Sequence, residues 1–291
     1  DAAGDLRAAL LAATPGVALR VDLIGSRRIG TVAFANRAAS PSEIILESRG
    51  GAALVADAGG LLFDFSATNL LVTLRGFDLR GHVRFAAAGG SLRAINCKFE
   101  PPAPRSGRRL VSTTPNRRAA LQLSAGNAYL EGVRFVGHDA GALLVDGGNV
   151  TVADALLAHN RADRGAAALV TSGILNLLRS VIEHNIASVA GGALAVDGGS
   201  VVLANQTILR GNTAQSGALA TVAPGASLFY GLPAPLSHWV VAPFECRPYR
   251  MACPQTNASC DPDAQQLLPS QPCDWRGNPV VNQLTLAALE P

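Results

Sequence analysis

A chain of 291 residues is long enough for a large buried core, but aromatic residues are only 5% of it against 48% apolar residues overall. That suits a narrow stacked core of Ala, Val, Leu and Ile. The net charge is only +3, and the arginines are scattered apart from Arg105, Arg108, Arg109, Arg117 and Arg118. With no aromatic platform or reading motif beside that cluster, no nucleic-acid partner is expected.

In chain order, residues 1–16 are expected to form an N-terminal helical cap, because GDLRAALLAA at 4–13 is amphipathic and Thr14, Pro15 and Gly16 end it. Short strands follow in VALRVDLIG and IGTVAF over residues 17–35, then in EIILES, AALVA and LLFDF over residues 43–65. A repeat then begins. Thr68 and Gly90 are read as equivalent turn positions, with Phe77 and Phe99 nine residues after each. Residues 101–118, PPAPRSGRRLVSTTPNRR, are expected to leave the stack as a loop, since such a segment cannot continue a buried parallel strand.

From Ala119 to Tyr230 the period is plain. GALLVDGGNVTVADALLAHN at 141–160 is followed by AALVTSGILNLLRSVIEHN at 167–185 and by GALAVDGGSVVLANQTILRGN at 192–212. The turn glycines Gly126, Gly148, Gly173, Gly199 and Gly225 are spaced 22, 25, 26 and 26 residues. Nine residues after the first three stand Phe135, Leu157 and Ile182, and Leu209 follows Gly199 with one residue inserted. Three residues further on come His138, Asn160, Asn185 and Asn212. A fixed period in the twenties denotes a solenoid, and apolar runs of three to six residues cut by Gly, Asn and Asp leave no room for two helices. Three short strands per coil, stacked in parallel over residues 17–230, are expected.

GGALAVDGGSVVLANQTILRGNTA at 191–214 resembles the repeats of right-handed parallel β-helix proteins of the pectin-lyase-like fold. It is most similar to those of polymorphic outer-membrane and autotransporter passenger proteins. The expected fold class is therefore all-β, a right-handed parallel β-helix with a short N-terminal capping helix and a disulfide-stapled irregular C-terminal segment. The resemblance also implies that any catalysis would act on acidic polysaccharides. Enzymes of this fold use clustered aspartates, often with calcium, or an arginine base.

Residues 231–291 form the Cys- and Pro-rich end, a cap or a linker. Cys246, Cys253, Cys260 and Cys273 fall within 28 residues, which reads as two disulfides with three possible connectivities. Their spacing contains no CxxC pair for zinc. Three sequons, at Asn149, Asn205 and Asn257, agree with an oxidising, extracellular or cell-surface location reached through the secretory pathway. Asp1 in place of Met leads to the expectation of a processed ectodomain or of the ordered part of a longer chain whose signal and anchor are missing, and no apolar stretch is long enough to span a membrane. Cys97, in AINCKFE, reads as a small core residue.

The candidate chemistry is sparse. Asp146 and Asp197 occupy matching Val-Asp-Gly-Gly turns with Thr171 between them, so their carboxylates should stand about 10 Å apart at 4.8 Å per coil. That is too far to share a calcium, and Asp-Gly is also ordinary turn chemistry. His159 and His184 hold matching corners and are the candidate metal ligands, yet repeats align identical residues for packing reasons alone. The clustered aspartates and Gly-His-Gly of the hydrolases are missing. No catalytic, metal or cofactor site is expected. The expectation is a non-catalytic extracellular module for adhesion, surface-coat or filament assembly, meeting other protein subunits or surface glycans. The competing reading is a carbohydrate-active enzyme.

Overall fold

The computed structural model describes residues 18–34, 42–56, 60–101, 118–204 and 206–230, and every regular element among them is a β-strand. The strands wind into a parallel β-solenoid of about seven turns. The first face stacks Ala18–Ile24, Glu43–Arg49, Leu71–Arg75, Ser91–Ile95 and Asn127–Glu131, and later Ser200–Ala204 and Ser227–Tyr230. The second face is an 8-stranded sheet running from Arg27–Ile29 to Ile208–Arg210. The third runs from Val32–Phe34 to Ala220–Val222. Two strands of 11 residues, Leu143–Ala153 and Ala168–Leu178, turn the corner between third and first faces and join both into one 15-stranded sheet.

Alternation explains why these short runs become strands. Leu92 and Ala94 point inward and are fully buried, while Arg93 between them is exposed. Parallel, in-register pairing then sets like on like along the axis. Phe99 pairs with Phe135, and their rings stack at 4.4 Å; Phe34 and Phe65 stack at 5.4 Å. Leu157 and Ile182, expected in the core, are both fully buried.

The corner after the first face needs a left-handed residue in coil after coil. Gly25, Gly76, Asn96, Gly132, Asp154 and Arg179 fill it with φ between 46 and 76°. That conformation costs an L-residue about 1–2 kcal/mol unless a short polar side chain or a local bond offsets it. Asp154 and Arg179 supply such a bond to each other across the coils, with Nε at 2.9 Å and Nη2 at 2.7 Å from the two carboxylate oxygens.

The stack continues in register across the expected loop. Lys98–Glu100 pairs with rungs on both sides, and Leu121–Leu123 pairs with both Val83–Phe85 and 143–145. Residues 102–117 themselves lie outside the described residues.

Three expectations are corrected. The helical cap at 4–13 lies outside the described residues, and no helix occurs among those described. Cys246, Cys253, Cys260 and Cys273 also lie outside, no disulfide occurs among the described residues, and Cys97 is a free thiol. Among the described residues the fold class is thus an all-β parallel solenoid with no helical or disulfide part. Its coils are held by rung-to-rung backbone bonds that need neither device. The third correction is of register. Leu79, not Phe77, pairs with Phe99, and Leu71 pairs with Ser91, so Leu70 rather than Thr68 matches Gly90. A shift of two residues keeps every side chain on its own face, so apolarity alone does not detect it.

Candidate functional site

The polar groups concentrate at the corner after the second face. There a left-handed residue, Gly137, His159, His184 or Gly211, is followed by a buried polar one, His138, Asn160, Asn185 or Asn212. The left-handed turn throws the first side chain outward and the next one in. Asn185 shows the resulting pattern. Its Oδ1 accepts from both the backbone N–H and Nδ2 of Asn160, at 3.0 and 2.9 Å, while its own Nδ2 donates to the Leu157 carbonyl at 2.9 Å. Asn212 repeats this one coil on, towards Asn185 and the Ile182 carbonyl. Every amide in this ladder is satisfied inside a buried corner.

His159 and His184 stand outside it. Their rings stack at 5.3 Å with planes 8° apart, both exposed. Gly211 continues the column, and a Cβ there would come within 2.6 Å of His184 Nδ1. His138 does not join the pair; it turns into the ladder. Among the described residues no three His, Cys, Asp or Glu side chains gather in a way that could hold a metal.

Asp146 and Asp197 occupy one column without meeting. Thr171 Oγ1 donates to Asp146 at 2.8 Å, and Arg164 Nη2 lies 2.6 Å from Asp197. Other carboxylates are tied across coils in the same way: Glu47 to Arg20 and Arg75, and Glu183 to Arg210. The hydrogen bond from Arg179 holds the Asp154 carboxyl below the usual carboxylate range. Each exposed pair contributes little alone; together they link successive coils.

Asn149 is exposed at the start of a first-face rung, whereas Asn205 and Asn257 lie outside the described residues. Cys97 is fully buried, its Sγ 3.4 Å from the Ile95 carbonyl and 3.5 Å from that of Leu74. Burial pushes this thiol up to about 11.

One feature was not read from the sequence. Arg93, Tyr129, Thr151, Asn176, Val202 and Phe229 share a single outward column on the first face. The Arg93 guanidinium sits 5.8 Å from the centre of the Tyr129 ring. Period-two alternation in NAYLE was enough to point Tyr129 outward, but only the pairing register could align six coils.

No protein family, curated protein or solved structure matches the chain. Fold and ladders define the class of protein as a parallel β-solenoid. No helix among the described residues is long and apolar enough to cross a membrane.

Proposed function

We propose that the chain is a non-catalytic extracellular β-helix module for adhesion, surface-coat or filament assembly, with other protein subunits or surface glycans as partners. Its repeats are read as those of the pectin-lyase-like group, nearest to the passenger type. The observation that carries the proposal is the first-face column from Arg93 to Phe229. It sets aromatic, amide, hydroxyl and apolar groups at about 4.8 Å intervals along a straight strip. A repeating polymer or a second extended surface fits such a strip better than a small compact ligand does. The cross-coil pairs of Glu47, Asp154, Glu183 and Asp197 support the same reading, because they engage these carboxylates in joining coils. The three sequons support a place outside the cell.

The full chain, incubated with polygalacturonate and other acidic polysaccharides, tests this. Retention on immobilised glycan or self-association, without new reducing ends or unsaturated uronide absorbance, is expected. Depolymerisation that disappears in Asp146→Asn or Asp197→Asn would overturn it in favour of a carbohydrate-active enzyme.

A further inference from the structure

The sequon Asn149-Val150-Thr151 begins the first-face rung 149–153. Extended backbone sends alternate side chains to one side, so Asn149 and Thr151 face outward while Val150 is buried. Asn176, on the next rung, touches both: its Nδ2 donates to Asn149 Oδ1 at 3.2 Å and lies 3.5 Å from Thr151 Oγ1. That contact orients the Asn149 amide. Its oxygen is engaged by the neighbouring coil, and no hydrogen bond among the described residues engages its Nδ2.

The surroundings point to a covering group. Asn149 pairs directly with Ile174, which is 42% exposed. Tyr129, 37% exposed, pairs with Thr151 and stands diagonally across from Asn149. Diagonal neighbours on a sheet lie about 7–8 Å apart, within reach of a sugar ring attached to the amide. Two large apolar side chains thus flank the one described sequon asparagine, on opposite sides.

We propose that Asn149 carries an N-linked oligosaccharide whose first N-acetylhexosamine packs against Tyr129 and Ile174. The donor class is a lipid-diphosphate-linked oligosaccharide. Nδ2 forms a bond to the anomeric carbon, the bond from that carbon to the phosphate oxygen breaks, the lipid diphosphate leaves, and the amide nitrogen gives up one proton. No redox partner is required. The inference rests on the extracellular reading, since only a chain in the secretory pathway meets this donor. It also refines that reading, because the glycan would cover the contact strip around Tyr129 and leave its Val202–Phe229 end open to a partner.

The test uses the full chain, expressed in eukaryotic cells behind a cleavable secretion leader so that exposure to the donor is ensured. Peptide-N-glycanase in heavy-oxygen water should convert Asn149 to labelled Asp in the tryptic peptide 135–161 of most secreted molecules. Asn149→Gln and Thr151→Val should each lose the mass of one glycan, and Thr151→Ser should keep it. Deglycosylation of the native protein should raise binding of an apolar dye, and Ile174→Ser should diminish that rise. A bare Asn149 in secreted protein overturns the site. Modification at Asn205 or Asn257 in the same sample would show that the donor was met, so that a bare Asn149 counts against the site itself and not against the extracellular reading. A glycan at Asn149 whose removal leaves dye binding unchanged overturns the packing on Tyr129 and Ile174. The native location is tested separately, by finding the chain in its source cells.

Discussion

The Nε2 of His138 lies 2.9 Å from the carbonyl oxygen of Phe99, and this bond makes the histidine the first rung of the asparagine ladder. Asn160, Asn185 and Asn212 send Nδ2 to the corresponding carbonyls of Phe135, Leu157 and Ile182. His138 does the same with a ring, and its backbone N–H donates to Asn160 Oδ1 at 3.0 Å. The rung it grips, Lys98–Glu100, is the last before the insertion. His82 Nδ1, 3.0 Å from the Ala119 carbonyl oxygen, marks the point where the chain returns.

Acid should therefore loosen this part of the stack. Burial, the largest cause, takes His138 from 6.5 down to about 4, against the opposing hydrogen bond to the Phe99 carbonyl; the neighbouring His82 adds to the lowering and Asp139 opposes it. Burial also lowers His82, helped by Arg118. The unfolded chain takes up a proton near 6.5 and the folded one only near 4. Stability is complete above pH 6.5, falls as the pH drops to about 4, and then levels. At about 1.4 kcal/mol per pH unit the loss for His138 is about 3 kcal/mol. Urea unfolding across that range measures it. In His138→Asn, which keeps an amide for the Phe99 carbonyl but cannot titrate, the decline should be visibly shallower.

The ladder should be worth more than its exposed counterpart. Asn185→Ala removes the bond to Leu157 and leaves two donors of the buried Asn160 without their shared acceptor. Buried donors left unsatisfied cost about 1–3 kcal/mol each, so a loss of about 3 kcal/mol or more is expected in denaturant unfolding. Asn176→Ala, on the outward face, should cost less than about 1 kcal/mol. Equal losses would mean that the ladder is not a stabilising element.

Two glycines separate strain from space. Gly173 and Gly225 share a φ of 83°. A Cβ on Gly173 would run into the Gly148 carbonyl oxygen, whereas at Gly225 it meets nothing described within 4 Å. Gly225→Ala should cost about 1–2 kcal/mol from its backbone conformation alone. Gly173→Ala should cost about 1–3 kcal/mol more, because coil must move against coil. Thermal melts of the two variants give the comparison directly.

Cys97 should resist alkylation in the native protein. With the thiol fully buried and its pKa near 11, iodoacetamide at pH 8 has almost no accessible thiolate to attack. Peptide mapping should find Cys97 modified only after denaturation. Rapid native labelling would mean that its rung opens readily.

The repeat was legible in the sequence because a solenoid writes its corners into residue type. Gly126, Gly148, Gly173 and Gly199 recur where backbone lies on backbone, and His138, Asn160, Asn185 and Asn212 recur where a polar group must face inward. The last copy already slips: Ser227 pairs with Ser200, so Ala226 rather than Gly225 follows Gly199 in register. Periodicity therefore determined the solenoid, its rung length, and the burial of Leu157 and Ile182. The asparagine ladder was legible too, but tertiary structure alone decided the direction and partner of the other polar side chains. His159 and Asn160 are adjacent in sequence, yet one is exposed and the other fully buried, because φ at His159 is +56°. Asp197 meets Arg164 across 33 positions, and Asp146 meets Thr171 across 25. Such distant contacts depend on how successive coils stack, and a coil's own residues do not encode which side chain of the next will lie against them.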